Sequence, residues 1–372
     1  MTRCPACGTT YADGSKFCTK DGTKLVPAGG APATPGSAPG PGASAPNPMT
    51  VSNPRSTSTA VRGAQPTPPQ PAYANLVGQT LDRHYKIERK LGEGGMSFVY
   101  LATDISTQQQ FAIKVLSEAL SQDANAMARL RREAALGMRL AHPNVCHIMR
   151  LGETEDRLVY VVMPYVNGEI LADRNNRLGH IPLPDTVKFI KDMAAGLSVA
   201  HELKIVHRDL KPENVMICRA PDGAEYAVVM DFGLAKERKA EGELQKLTAT
   251  GIILGTPEFM SPEQLRGKPL DPRTDIYSLA LMAYEMLTGK LPFQGRTQQE
   301  MMIARLRSDP IPIRRMRPDF DIPESVERVL NKAMSRNPDD RYQTVIEFGD
   351  ALGMAAGGVP AESGLLGKLF GR

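Results

Sequence analysis

The sequence predicts an α+β fold in two lobes, a strand-rich one followed by a helix-rich one. Short β-like runs occupy 85–90, 99–103, 110–115, 146–151 and 158–165. One helical stretch at 124–140 interrupts them, with Met127, Leu130, Ala134 and Met138 at helical spacing. Beyond residue 170 helical patterns prevail, and 276–287 is apolar nearly all round, as a helix buried on every side must be. Gly289 supplies a stop for that helix.

The 372 residues suffice for one large or two medium domains, and a hydrophobic content of 41% supports a sizeable core. A net charge of +4 gives no general case for nucleic-acid binding. No apolar run is long enough to span a bilayer, and the first residues are polar and cysteine-bearing rather than basic and then apolar. A cytoplasmic location is therefore expected. Composition divides the chain into zones. Residues 1–26 are rich in Cys, Gly and Lys. Residues 27–75 are dominated by Pro, Ala, Gly, Ser and Thr, with too little apolar surface to offset ordering entropy, so a disordered linker is expected there. A globular pattern runs over 85–354, and 355–372 reads as a flexible C-terminal tail too short for a stable lone helix.

Three of the five cysteines lie in the first eighteen residues, which in a reducing compartment points to metal before disulfides. Cys4-Pro5-Ala6-Cys7-Gly8 and Cys18-Thr19-Lys20-Asp21-Gly22 have the form of two knuckles, with Asp21 where a zinc ribbon would carry a fourth cysteine. An aspartate oxygen ligates Zn²⁺, so Cys4, Cys7, Cys18 and Asp21 form a candidate zinc-ribbon-like site. So short a segment has no core of its own, and its folding would depend on the metal. Cys146 and Cys218 are isolated and read as buried thiols.

Leu91-Gly92-Glu93-Gly94-Gly95-Met96-Ser97-Phe98-Val99 lies between two expected strands. Its glycines let backbone amides approach phosphate oxygens. No helix follows directly, which argues against a Rossmann or Walker-type site. The next strand carries Ala112-Ile113-Lys114, and Glu133, on the helix, is the expected ion-pair partner of Lys114.

His207-Arg208-Asp209-Leu210-Lys211-Pro212-Glu213-Asn214 concentrates what phosphoryl transfer to a hydroxyl requires: a cation, an orienting carboxylate and metal ligands. Asp231-Phe232-Gly233 follows, beyond a hairpin turn at Pro221-Asp222-Gly223. Over residues 85–354 these motifs and their order resemble the eukaryotic-like (Hanks-type) serine/threonine protein kinases. The resemblance implies the two-lobed protein kinase fold, preceded here by the zinc-ribbon-like module and linker. It implies transfer of the γ-phosphate of ATP to Ser/Thr hydroxyls of proteins, with Mg²⁺ or Mn²⁺.

Site roles follow from the same resemblance. Asp209 would accept or orient the hydroxyl proton, Lys211 would contact the γ-phosphate, and Asn214 and Asp231 would ligate metal ions. The glycine loop from Leu91 to Val99 would cover the phosphates, with Ser97 in place of the family's third glycine. Met163 would be the gatekeeper, and Val99, Ala112 and Met216 would sandwich adenine. The Pro164 carbonyl and Val166 amide would bond the ring edge; relatives usually carry an acidic residue at the Pro164 position, but the carbonyl acceptor is retained. Thr256, in Gly255-Thr256-Pro257-Glu258, would bond Asp209 and Lys211, Asp275 would brace the catalytic loop, and Glu263 of Ser261-Pro262-Glu263 would pair with Arg341.

Arg208 places a cation beside Asp209, and a phosphothreonine would bring about −1.5 to −2 charges to it. Thr248 and Thr250 are accordingly expected sites of activating autophosphorylation. Gly255-Thr256-Pro257-Glu258, which resembles the family's substrate-docking loop, and the Ser-Pro-Glu segment favour a polypeptide over a small-molecule acceptor, so protein substrates and self-association for trans-autophosphorylation are expected. The alternative is a catalytically weak kinase-fold scaffold, against which stands the presence of Lys114, Glu133, Asp209, Asn214 and Asp231.

Overall fold

The computed structural model describes residues 2–3, 10–11, 26–27, 75–94, 97–117, 121–232 and 257–357. The chain divides into two units, residues 1–66 and 67–372. In the first, Thr2–Arg3 (β1) pairs antiparallel with both Thr10–Tyr11 (β2) and Val26–Pro27 (β3). Cys4, Cys7, Cys18 and Asp21 lie outside the described residues, as do 28–74 of the expected linker and the tail from 358 onward.

The second unit begins with a six-stranded antiparallel sheet. Its strands are Thr80–Leu81 (β4), Tyr85–Gly94 (β5), Ser97–Asp104 (β6), Gln110–Leu116 (β7), Arg150–Glu153 (β8) and Val159–Pro164 (β9), in the order β4-β5-β6-β7-β9-β8. The period-two geometry of a strand sends alternate side chains to opposite faces. In β9, Tyr160 and Val162 join Ile87, Tyr100 and Ile113 on one face. Val159, Val161 and Met163 join Ala112 and Leu116 on the other. The helix Ala124–Gly137 (α1) covers that second face through Met127, Leu130 and Ala134. Asp123 starts the helix, its carboxylate accepting from the amides of Asn125 and Ala126 at 3.0 Å each.

Two expectations change here. The helix stops at Gly137, and Met138, expected on its buried face, is 43% exposed. A Cβ on Gly137 would come within 2.9 Å of Ile148 Cδ1, so the chain packs too closely there for a larger residue. The strand expected at 146–151 is instead Arg150–Glu153. Residues 144–146 are committed elsewhere: Cys146 N donates to Val229 O and Val229 N to Asn144 O, each at 2.9 Å. Backbone groups bonded to the following lobe are not available to the sheet.

The helical lobe comprises Leu171–Leu178 (α2), Leu183–Glu202 (α3), Pro262–Leu265 (α4), Arg273–Thr288 (α5), Gln298–Arg307 (α6), Ile313–Met316 (α7), Glu324–Ala333 (α8) and Val345–Ala355 (α9). A small antiparallel sheet of Gly168–Ile170 (β10), Val215–Arg219 (β11) and Glu225–Val229 (β12) lies at its edge. From Thr274 to Thr288 every residue of α5 except Glu285 is buried, so this helix is the axis of the lobe's core. Each fully buried Leu or Ile there contributes about 1.5–3 kcal/mol. Gly289 ends α5 as expected, at φ 71° with its amide on Glu285 O. Among the described residues no helix is long and apolar enough to cross a membrane.

Candidate active site

The apolar wall forms where the sheet meets the helical lobe. Ala112 and Met163 are buried in one cluster, with Leu91, Val99, Val166 and Met216 packed against it and partly exposed. Residues expected around an adenine ring are therefore brought together from β5, β6, β7, β9 and β11. The glycine-bearing hairpin closes tightly, Gly92 facing Val99, Glu93 facing Phe98 and Gly94 facing Ser97. Lys90 grips the hairpin, paired with the Glu93 carboxylate and 4.3 Å from the centre of the Phe98 ring. Cys146 and Cys218, expected to be buried thiols, are buried in the same cluster. Burial, and next the charge of Asp231, push the Cys146 thiol up to about 12, which leaves it un-ionised.

The polar wall is the loop around Asp209. Asn214 Nδ2 donates to the Asp209 backbone oxygen at 2.8 Å and to Asp209 Oδ2 at 3.1 Å. Lys211 Nζ lies 3.8 Å from the same Oδ2. One carboxylate oxygen thus sits between an amide donor and an ammonium, which aims it at a fixed place. Arg208, just before it, is in the left-handed region at φ 64°, an uncommon state for a residue with a side chain. Both of its backbone groups are tied down. Asp275 Oδ1 accepts from Arg208 N at 3.1 Å, and Gln264 Nε2 donates to Arg208 O at 2.7 Å.

Asp275 belongs to α5 and is fully buried. Its second oxygen accepts from His207 N at 2.9 Å and lies 2.8 Å from His201 Nε2. The expected brace is therefore an aspartate with three contacts, two to backbone amides of the catalytic loop. His207 carries the connection onward. Its Nε2 lies 2.8 Å from Met230 O, and its ring meets that of Phe232 edge-on at 4.8 Å. Asp231, between those two residues, is also left-handed at φ 53°.

Asp231 then reaches across to the sheet. Lys114 Nζ is 2.8 Å from Asp231 Oδ1, with the lysine side chain 13% exposed and the aspartate 42%. The expected partner of Lys114 was Glu133, and here the structure differs: the ion pair of Lys114 is with Asp231. Glu133 is half-buried on α1 and has contacts of its own. Which carboxylate reaches the lysine is not encoded in the motif spacing.

Behind the catalytic loop, Glu263 and Arg341 form the expected pair, with two bonds of 2.7 and 2.8 Å, and Thr274 Oγ1 adds a third to Glu263 at 2.9 Å. Burial works to raise the Glu263 pKa, but the Arg341 bonds and charge, with Thr274, outweigh it and hold the carboxyl below its ordinary range. Glu285 shows the opposite balance. Burial, helped by the charges of Glu213 and Glu258 and only partly offset by the Asn175 amide, raises it to about 7.

Gly95, Met96, Gly233, Thr248, Thr250 and Thr256 lie outside the described residues. Four supporting residues escaped the sequence analysis: His201, Gln264, Ser278 and Arg305. Only Gln264 had a local signal, the capping box Ser261-Pro262-Glu263-Gln264, in which Gln264 Oε1 accepts from Ser261 N at 2.9 Å. A separate cavity of about 960 Å³ lies between the start of α1 and the β8–β9 turn, and none of the apolar-wall residues lines it.

Comparison with known proteins matches this architecture. Serine/threonine-protein kinase pkn3 of Myxococcus xanthus is 37% identical over 272 residues, 73% of this chain and 50% of that protein. Serine/threonine-protein kinase PrkC of Bacillus subtilis is 35% identical over 269 residues, 72% of this chain and 40% of that protein. The chain thus matches half or less of the length of these relatives. The crystal structure of the Mycobacterium tuberculosis PknI kinase domain superposes with a TM-score of 0.58 at 27% identity, covering 75% of this chain and 98% of that one. The protein kinase domain model matches residues 85–347, and with the wired Asp209 loop and the Lys114–Asp231 pair inside that span, the chain belongs to the protein kinase domain family.

Proposed function

We propose that this chain is an ATP-dependent protein serine/threonine kinase. The observation that carries the proposal is the convergence on Asp209: Asn214 and Lys211 fix its Oδ2 from one side while Lys114 and Asp231 meet at the neighbouring edge. Such a carboxylate is placed to orient an acceptor hydroxyl and take its proton. Lys211 is set to contact the transferring phosphoryl group, and the partly exposed apolar wall is suited to an adenine ring. Ser/Thr specificity is supported by the Asp209-Leu210-Lys211-Pro212-Glu213-Asn214 pattern and by the printed names of the relatives.

The donor set suits Mg²⁺ or Mn²⁺. Asn214 uses its Nδ2 on Asp209, which leaves its amide oxygen as a hard ligand, and Asp231 contributes carboxylate oxygen. A metal bound there would neutralise charge on the phosphate oxygens. Thr256, the backbone of Pro164 and Val166, and the loop from Leu91 through Val99 keep the roles that the family resemblance assigns them. In the same reading Thr248 and Thr250 are activating autophosphorylation sites reached in trans, the substrates are proteins, and the setting is cytoplasmic. Cys4, Cys7, Cys18 and Asp21 hold Zn²⁺ in a module joined by the linker.

The test is transfer from γ-labelled ATP with Mg²⁺ to a generic protein acceptor by the full chain, beside Lys114→Met and Asp209→Asn. Wild type should yield phosphoserine or phosphothreonine at least about 10³-fold faster than Asp209→Asn. A wild type no faster than Lys114→Met overturns the kinase proposal in favour of a scaffold. Phosphopeptide mapping of the product should find Thr248 or Thr250 modified, and metal analysis should find one equivalent of zinc per chain.

A further inference from the structure

Arg305 of α6 is 1% exposed, yet its hydrogen bonds run to backbone carbonyls rather than to a carboxylate. Nη1 donates to Pro257 O at 2.6 Å and Met260 O at 3.1 Å, and Nη2 donates to Glu258 O. The remaining carbonyl of this turn, that of Phe259, accepts from Ser278 Oγ of α5 at 2.8 Å. Four consecutive carbonyls are thus held by the helical lobe, three of them on one guanidinium. A buried cation is costly unless its charge is met, and here the three carbonyl dipoles meet it, with the Phe293 ring 5.8 Å from the guanidinium carbon. The planar fork also fixes three peptide groups relative to one another, which a flexible ammonium does not do.

The turn has a defined place in the site. Its first residue, Pro257, follows Thr256, the residue expected to contact Asp209 and Lys211. Its last, Met260, leads into Ser261, the cap of α4, whose Gln264 holds the Arg208 carbonyl. Among the described residues, Arg305 makes no hydrogen bond or ion pair with the apolar wall, the hairpin or the Lys114–Asp231 pair. The turn it holds begins within Gly255-Thr256-Pro257-Glu258, the segment that resembles the family's substrate-docking loop.

We infer that Arg305 is a positioning residue for the protein acceptor, its guanidinium holding the 257–260 turn in the shape that the acceptor peptide docks against. The inference rests on the kinase function proposed above. Lysine at this position keeps the charge but serves the carbonyls as a point donor, and methionine leaves all three unserved.

The experiment uses the full chain as wild type, Arg305→Met and Arg305→Lys. It measures KM and kcat for a serine/threonine peptide, KM for ATP, and ATP hydrolysis with water as the only acceptor. Arg305→Met should raise the peptide KM about tenfold and Arg305→Lys about threefold, with KM for ATP and water-directed hydrolysis within about twofold of wild type. A peptide KM in Arg305→Met within twofold of wild type overturns the inference. So does an equal loss of peptide transfer and hydrolysis, which marks general damage to the fold. Should Arg305→Met fail to show a cooperative thermal transition, Arg305→Lys decides by the same criteria. A wild type inert towards both peptide and water overturns the kinase function itself, so the two failures appear in different proteins.

Discussion

The loop around Asp209 and the hairpin of Gly92 and Gly94 meet at the Lys114–Asp231 ion pair, but they are held in opposite ways. The loop is anchored from below by a buried helix. Asp275 bonds its amides, Gln264 bonds its carbonyl, and His207 fastens it to the strand end at Met230. Two left-handed residues, Arg208 and Asp231, persist there because neighbouring groups over-determine them. Among the described residues the hairpin is held by its ladder, by the surface contacts of Lys90 and by the partly exposed packing of Leu91 and Val99 on the apolar wall. Around Gly92 an added Cβ would meet nothing within 4 Å. In the kinase proposed above the difference would separate two jobs. Groups that fix the reacting hydroxyl need rigid support, whereas a cover over phosphates needs backbone amides and room to close.

The comparison is sharpened most by Arg341→Met, which leaves Glu263 buried without its partner. A loss of about 3–5 kcal/mol in urea unfolding at pH 7 is expected. The Glu263 carboxyl lies below its ordinary range in the folded chain, so the stability it contributes is present above the unfolded value of about 4.3. That contribution is lost as pH falls through the lowered folded value. The gap between wild type and Arg341→Met should therefore narrow in acid. A gap that stays constant down to pH 3 would show that packing, not the ion pair, is responsible.

Asp275→Asn tests the rigid side directly. It sets an amide NH₂ against backbone N–H donors and should cost about 2–3 kcal/mol. With the strained Arg208 released, kcat should fall at least about tenfold while KM for ATP is unchanged. Unchanged kcat would mean that Arg208 keeps its conformation without the brace.

Glu285→Gln should stabilise the same lobe. The folded pKa of about 7 lies above the unfolded carboxylate value, so wild-type stability falls as pH rises between the two and stays lower above 7. The variant escapes that loss and should gain about 1–3 kcal/mol at pH 8, with almost none at pH 4. Thermal melts at both pH values check it, and an equal gain at both would remove ionisation as the cause. The smallest effect is expected on the hairpin. Gly92→Ala should leave stability within about 0.5 kcal/mol of wild type, since the site is open, while raising KM for ATP several-fold. A large fall in Tm would show the hairpin to be as tightly held as the loop.

Much of the site was legible because its chemistry is local in the chain. The run from His207 to Asn214 and the glycine pattern each place their groups within one turn or one strand. The stop at Gly289 was legible for the same reason, a left-handed cap being a property of one residue. The misplaced strand at 146–151 shows the limit. Its composition suits a strand, and what moved the boundary to Arg150 was the bonding of Asn144 and Cys146 to Val229 in the other lobe. Lys114 is a similar case: Glu133 and Asp231 are both carboxylates, and the fold brings Asp231, 117 residues away in sequence, to the lysine.

By itself, then, the sequence determined the order of the two lobes, the strand alternation that gives the sheet its two apolar faces, and the presence of the residues from which the proposed site is built. These follow from periodicity and from residue chemistry, which need no knowledge of distant neighbours. Only the tertiary structure decided the pairings: Lys114 with Asp231 across 117 residues of chain, Asp275 beneath His207 and Arg208, and Arg305 on three carbonyls of the 257–260 turn. Each joins groups far apart in sequence, where the outcome depends on which buried charge or carbonyl is left to satisfy once the cores have packed.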